Sequence, residues 1–215
     1  MKKRVIFFGC SNTYGHGLPD CLTYTNPSKL GWASHIASEL GRTYVNKGIP
    51  GASNKLIWYK ILHTKFKPDD IVIILWSYPN RTTVLNSPWS FTNVHHNQLD
   101  KPESLAYYTH LYSKYDTLVT SKLYIDSANR YLNDLKIPIY QTVCYEPHKV
   151  LFDKHKHVPL YFNHYLDVYP KAIDDNHLGI SGNMIFAKDF LKLMDTKIEL
   201  NKTDKFINWL WNKIL

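Results

Sequence analysis

The chain is poor in several features that would assign it to large classes of protein. Its 215 residues include only three cysteines, Cys10, Cys21 and Cys144, which have no metal-type spacing and leave one unpaired if two form a bridge. This predicts a reducing compartment rather than a disulfide framework. No apolar run is long enough to cross a membrane, and the run at 5–8 ends too early for a signal peptide. We therefore expect a cytoplasmic protein without a membrane partner.

Acidic residues are also in the minority, with 18 Asp and Glu against 26 Lys and Arg and a formal net charge of +8. Such a charge permits binding to an anionic polymer. The lysines are spread along the chain, however, and form no basic block or nucleic-acid motif. We interpret the charge as a solvated surface and expect no nucleic-acid partner. There is no internal repeat or low-complexity segment, and the length predicts one domain over residues 1–215.

What the chain does have is apolar and aromatic content, 44% and 14% of its residues, which is typical of a globular protein. Short apolar runs predict buried strands at 4–9, 44–46, 71–76 and 137–144. Helical spacing predicts helices at 28–40, 53–65, 103–135 with a break near 120, 181–194 and 204–214. Strands that alternate with helices predict an α/β protein with a parallel sheet. The long irregular insertions near 77–102 and 145–175 exceed ordinary loop lengths, which is typical of functional loops.

A serine follows the first predicted strand. The strand ends at Gly9, and Ser11 comes next in the stretch GCSNTYGHG. In an open parallel sheet, ligands bind outside the carboxyl ends of the strands. A serine nucleophile needs a base within hydrogen-bond reach, and the base needs an orienting carboxylate. His177, preceded by Asp174 and Asp175, can supply both from one loop.

Nucleophilic attack on a carbonyl also needs donors for the developing oxyanion. The backbone N–H groups of Ser11 and Gly51 are candidates, together with a side-chain amide. Gly51 lies in NKGIPGASN after the second strand, and a glycine lets the backbone approach a tetrahedral intermediate closely.

The sequence blocks around Ser11, Gly51 and His177, taken in this order, resemble those of the SGNH, or GDSL-like, hydrolase superfamily over residues 4 to about 190. The resemblance implies a three-layer α/β/α fold with a mainly parallel sheet, of the flavodoxin-like, SGNH hydrolase type. It also implies that Ser11 is the nucleophile, Gly51 an oxyanion donor and His177 the base, with no metal or organic cofactor. The blocks further resemble compact members from bacterial and phage genomes, which makes a phage particle an alternative location.

Two departures from the family pattern leave alternatives open. In the family, a third block, usually Gly-x-Asn-Asp, directly follows the third strand. Here the chain reads LWSYPNR at that place, so that Asn80 comes about two residues late. Asn80 or Ser77 can supply the third oxyanion donor, or the site lacks it. For the acid, the usual Asp-x-x-His spacing selects Asp174, whereas an Asp-x-His spacing selects Asp175. The Gly-rich helix start after His177 favours Asp175.

Five further residues near these blocks are candidates for substrate binding: Asn12, Tyr14, Trp76, Tyr78 and Arg81. The aromatic rings, with Trp89, can stack on a sugar or simply pack the long loop. Arg81 can meet an anionic substrate group or form a surface ion pair. The pairs His95-His96 and His155-x-His157 lack partners at ligand spacing, and we interpret them as solvated loop histidines.

The sequence thus predicts a serine esterase for a carbohydrate O-acyl ester, such as an O-acetylated sugar, since no long apolar lid helix of a lipase is present. Two alternatives remain. A sugar O-acyltransferase would use the same triad, with a sugar hydroxyl in place of water. A catalytically weak glycan-binding protein would have a pocket plugged by Trp76 or Tyr78. The sequence leaves the oligomeric state unknown.

Overall fold

The computed structural model describes residues 3–23, 25–88, 90–152 and 157–194. Its strands are β1 Arg4–Phe8, β2 Thr43–Asn46, β3 Ile71–Trp76, β4 Thr82–Leu85, β5 Phe91–Val94 and β6 Ile139–Val143. Its helices are α1 Ser11–Tyr14, α2 Trp32–Glu39, α3 Asn54–Leu62, α4 Pro102–His110, α5 Lys114–Asp134, α6 Phe162–Val168 and α7 over 180–194. The helix predicted over 204–214, together with Trp89 and His155, lies outside the described residues.

Four strands form a parallel sheet in the order β2-β1-β3-β6. The chain leaves β1 toward one edge to form β2, and then crosses back to form β3 on the other side of β1. This reversal places a crevice outside the carboxyl ends of β1 and β3, which is where ligands bind in doubly wound sheets. The predicted α/β class and the parallel sheet are confirmed.

Strand β1 is buried on both faces, as its uninterrupted apolar run predicted. Phe7 packs edge-on against Trp32 of α2, with the ring centroids 5.4 Å apart. Phe8, the next residue, points to the opposite face and lies 6.4 Å from the ring of Phe66, which in turn contacts Tyr131 of α5. Successive side chains of a strand alternate between faces, so this strand anchors a helical layer on each side.

The two helical layers complete an α/β/α sandwich. On one face, Trp32 of α2 packs against Phe186 and Phe190 of α7, at centroid distances of 5.3 and 6.1 Å. On the other face α3 packs along α5, where the Trp58 indole N–H donates to Ser127 Oγ over 3.0 Å. The three-layer architecture predicted from the sequence is confirmed. None of the described helices has the length and apolar character needed to cross a lipid bilayer.

Both segments expected to be irregular contain regular structure. Residues 77–102 include the antiparallel hairpin β4-β5, and residues 145–175 include α6. The hairpin has a sequence signal, because TTVL and FTNV are rich in β-branched and aromatic residues and flank a turn with Pro88. The predicted helix break near 120 is wrong, since α4 ends at His110 and α5 begins at Lys114. Ser113 caps α5 by accepting from the Asp116 N–H over 3.3 Å, which explains that position.

Candidate active site

Ser11 lies at the carboxyl end of β1, where the chain turns directly into α1. The residue is largely buried, with a relative exposure of 9%. Trp32 holds this turn in place, because its indole N–H donates to the Asn12 carbonyl over 3.0 Å. The backbone N–H of Trp32 donates in turn to Asn183 Oδ1 on α7, also over 3.0 Å. Asn183, which sequence reasoning missed, thus ties the serine turn to the segment that carries His177.

His177 is paired with Asp174. Its Nδ1 lies 2.5 Å from Asp174 Oδ2, and the two side chains are 18% and 24% exposed. The other carboxylate oxygen accepts the backbone N–H groups of Asn176 and His177, over 3.2 and 3.1 Å. When the ring proton is on Nδ1 and is donated in the hydrogen bond to Asp174, Nε2 has no proton and can accept one. This is the tautomer that a general base needs.

The surroundings of Asp174 keep its carboxylate charged. Burial raises the pKa of Asp174, but the hydrogen bonds from His177 and the backbone outweigh burial and hold the pKa below its usual value. His16 lies on the other side, with its Nε2 3.7 Å from Asp174 Oδ2 and its ring edge-on to His177 at 5.0 Å. Burial and then the charge of His177 lower the pKa of His16. The shift favours the neutral form of His16 beside the pair.

Gly51 lines the same cavity as Ser11, from the loop that precedes α3. Its φ of +76° lies in the left-handed region, which favours glycine. The backbone N–H groups of Ser11 and Gly51 donate to no acceptor among the described residues, Ser11 because it opens a helix. Asn93 and His95 cover Gly51 from β5 and the residues after it, since a Cβ at Gly51 would lie 3.3 Å from Asn93 Nδ2 and 3.6 Å from His95 Nε2.

These side chains line one cavity of about 890 Å³. Ser11, Gly51, Asp174 and His177 all contribute to its wall. The hairpin and the residues after it supply much of the remaining wall, namely Phe91, Thr92, Asn93, His95, Asn97, Gln98, Lys101 and Glu103. None of these wall residues was predicted from the sequence to be functional, and only His95 was interpreted at all, as a solvated histidine. That interpretation is wrong for His95, which is only 7% exposed.

Several predicted positions lie away from the cavity. The carboxylate that contacts His177 belongs to Asp174; Asp175, which the sequence favoured, is exposed with a φ of +57°. Trp76 is fully buried and its indole N–H donates to Gln141 Oε1 over 3.0 Å, so it stacks on no sugar. Tyr14 is also buried and is not part of the cavity wall. These placements correct the expectations for Asp175, Trp76 and Tyr14.

Both candidates for the third oxyanion donor are engaged elsewhere. The Asn80 amide lies 2.9 Å from His96 Nδ1 and lines a neighbouring cavity, not that of Ser11. Ser77 is fully buried, and its backbone N–H donates to Asn54 Oδ1 over 2.8 Å. By contrast Asn12, Tyr78 and Arg81, which were predicted to bind substrate, do line the cavity with Ser11.

Within the described part of the chain, one group of side chains has the spacing of a metal site. It consists of His16, Asp174 and His177, whose potential ligand atoms lie within 4.8 Å of one another. Imidazole and carboxylate ligands of this kind suit Zn²⁺. The hydrogen bond between Asp174 and His177 gives the same atoms a role that needs no metal.

Several solved structures have a fold similar to that of this chain. A crystal structure of TesA matches over 90% of this chain and 99% of its own length, with a TM-score of 0.55 and 11% sequence identity. A catalytic mutant of Axe2, an acetylxylan esterase from Geobacillus stearothermophilus, matches over 89% of this chain and 93% of its own, with a TM-score of 0.53 and 17% identity. No protein-family model matches the sequence, and no curated protein matches it. The structural likeness shows a fold of the SGNH hydrolase type.

Proposed function

We propose that this chain, built on the SGNH hydrolase fold, is a serine esterase that hydrolyses a carbohydrate O-acyl ester. The observation that carries the proposal is the hydrogen bond between Asp174 and His177 in a cavity shared with Ser11. A carboxylate that orients an imidazole beside a serine hydroxyl is the set of groups that acyl transfer requires. The cavity is open and Trp76 lies in the core, which favours an enzyme over a binding protein with a plugged pocket.

In the proposed reaction, Ser11 Oγ attacks the ester carbonyl carbon while His177 Nε2 takes its proton. The carbonyl electron pair moves to oxygen, and the N–H groups of Ser11 and Gly51 donate to this oxyanion. Collapse of the intermediate expels the alcohol, which takes the proton from His177. A water molecule, activated by the same imidazole, then releases the acid from Ser11. Asp174 stays ionised throughout and stabilises the imidazolium that forms twice.

The wall of the cavity supports a sugar ester as the substrate. Amides, hydroxyls and imidazoles dominate it, for example Thr92, Asn93 and Gln98, and these groups can exchange hydrogen bonds with sugar hydroxyls. The rings of Tyr78 and Phe91 offer apolar faces in the same wall. A long acyl chain would instead require a mostly apolar pocket. The activity named for Axe2, a structural neighbour, is of the same class.

Labelling with a fluorophosphonate probe tests the proposal directly, because only an activated serine reacts. We expect the wild type to be labelled at Ser11, as mapped by mass spectrometry of its peptides. The same preparation should hydrolyse p-nitrophenyl acetate at an unchanged rate in the presence of EDTA, since no step needs a metal. An unreactive Ser11 in a protein that releases no acetate would reject the esterase. Transfer of the acetyl group to an added sugar in preference to water would identify an acyltransferase.

A substitution at Gly17 tests the position of Asp174. A Cβ at Gly17 would lie 2.5 Å from Asp174 Oδ1, and the φ of Gly17 is +81°. We expect Gly17→Ala to displace the carboxylate from His177 and to lower kcat for p-nitrophenyl acetate by about a hundredfold, the cost of a misplaced catalytic group. Gly41→Ala is the matched control, because Gly41 also has a positive φ, of +59°, but a Cβ there meets nothing within 4 Å. Equal activity of the two variants would contradict the assigned position.

A further inference from the structure

The site described above has two backbone donors for an oxyanion but lacks the third donor that the sequence led us to expect. Asn80 and Ser77, which follow β3, are both engaged away from the Ser11 cavity. If the oxyanion hole has three donors, the third must therefore be another N–H group near the end of β3. Three side chains with N–H groups flank this part of the cavity: Asn12, Asn93 and Arg81.

Each of the two amides already donates one of its two N–H groups to a protein acceptor, which leaves one donor on each. Asn12 Nδ2 donates to Cys144 Sγ over 3.7 Å, at the end of β6. Asn93 Nδ2 donates to the Pro50 carbonyl over 3.3 Å, and its Oδ1 accepts from the Thr83 hydroxyl over 2.8 Å. Both amides thus serve to fix the loops around the site.

Arg81 has more donors to spare than either amide, and it carries a positive charge. A guanidinium carries five N–H donors. Among the described residues, one Nη of Arg81 donates to Ser77 Oγ over 3.3 Å, and the group lies 4.8 Å from the centroid of the Tyr78 ring. No carboxylate in the described part of the chain forms an ion pair with it. A half-buried cation without a counter-ion is costly unless something else uses its charge.

Arg81 lines the same cavity as Ser11, and its guanidinium is held there by Ser77, the residue that follows β3. The positive charge of Arg81 also affects the pKa values of two buried groups near the cavity, Cys10 and His95. A hydrogen bond with Cys144 is the largest influence on the pKa of Cys10 and lowers it, and Arg81 lowers it further. Burial lowers the pKa of His95 first, and Arg81 again adds to that effect.

We propose that Arg81 is the third donor of the oxyanion hole, in place of the asparagine side chain of the third block. The inference rests on the proposed role of Ser11 as nucleophile. When Ser11 Oγ bonds to the carbonyl carbon, the electron pair of the C=O bond moves to oxygen, and a guanidinium N–H donates to that anion. Arg81 stays protonated, while His177 alone carries the proton to the leaving alcohol. A charged donor stabilises an oxyanion more than a neutral amide does.

The test uses a neutral ester, p-nitrophenyl acetate, which has no anionic group for a cation to bind. Arg81→Gln is expected to lower kcat by about a hundred- to a thousandfold with little change in KM, as for the loss of one oxyanion donor. Arg81→Lys should recover part of the rate, since an ammonium also donates. Phenylboronic acid, which becomes a tetrahedral anion on a reactive serine, should bind to Arg81→Gln more weakly by a similar factor. Arg130→Gln, which removes an exposed arginine from α5, is the matched control for charge.

Other outcomes would overturn the inference. If Arg81→Gln hydrolyses the neutral ester at the wild-type rate but loses activity on an acetylated uronic acid, then Arg81 holds an anionic group of the substrate. If Asn93→Ala lowers kcat and Arg81→Gln does not, the amide is the third donor. Thermal unfolding of each variant shows whether it is folded, and the lysine variant keeps the test valid if the glutamine variant is not. A wild type whose Ser11 is unreactive toward the fluorophosphonate would reject the proposed function and this inference together, whereas a reactive Ser11 with an unchanged Arg81→Gln would reject only this inference.

Discussion

Replacement of Ser11 by alanine is expected to lower kcat for p-nitrophenyl acetate by about ten-thousandfold to a millionfold, to the background that the remaining site supports. The physical reason is that Oγ forms the covalent bond to the acyl group, and a methyl group has no lone pair with which to attack. Since the substitution removes only one oxygen atom, we expect the fold and the unfolding temperature to change little.

Ser38→Ala is the matched control for this substitution. Ser38 lies exposed on α2, and the same hydroxyl is removed there without contact to the cavity. We expect wild-type kinetics for this control and no fluorophosphonate labelling of Ser11→Ala. Hydrolysis by Ser11→Ala at the wild-type rate would show that another group, or a contaminating enzyme, performs the reaction.

Asp174→Asn is expected to lower kcat by about ten-thousandfold, while Asp175→Asn leaves it near the wild-type value. An asparagine at 174 removes the charge that stabilises the His177 imidazolium, and its amide allows the wrong tautomer of the ring. The two acids are adjacent in sequence, so the pair of variants is a sensitive test of geometry. Asn tolerates the left-handed backbone at 175, where φ is +57°, so the control should remain folded.

Two further measurements separate loss of orientation from loss of structure. The Asp174→Asn variant should lack the downfield imidazole N–H proton that a short hydrogen bond between His177 and a carboxylate produces in NMR spectra. The pKa of Asp174 is depressed in the folded protein, so the stability from this pair is present above the unfolded pKa of about 3.9 and is lost as the pH falls through the folded value. Asp174→Asn should lose that acid-dependent part of the unfolding free energy. A greater loss of activity in Asp175→Asn would contradict the assignment of the acid.

Much of the fold could be predicted because its signals are local. The run VIFF has no polar residue and therefore indicates a strand buried on both faces, and IVIILW does so even more clearly. The hairpin β4-β5 was not predicted, because its strands are short and partly polar and lie in a segment rich in Pro and Asn. The position of the helix break depends on the Ser113 cap, a single residue whose effect a hydrophobic pattern does not register.

In the candidate site, too, some positions could be predicted from local sequence signals and others could not. Ser11 and Gly51 follow β1 and β2, and they line one cavity with His177 from the loop before α7. The sequence predicted these three positions. Which neighbouring side chain completes each role does not follow from it. In a tight turn, one residue of shift changes the direction of a side chain by a large angle, and that separates Asp174 from Asp175 and Arg81 from Asn80.

From the residues alone we could predict an α/β chain with a parallel sheet, a serine at the end of its first strand and an acid-histidine loop late in the chain, because buried apolar runs and turn residues are encoded in adjacent positions. The three-dimensional packing, by contrast, brings Asp174 to His177, buries Trp76 in the core, and makes the hairpin with Asn93 and His95 a wall of the cavity. Those outcomes depend on contacts between residues that are far apart in the chain, such as Trp32 with Asn183. They arise when the layers pack together, and no local pattern carries that information.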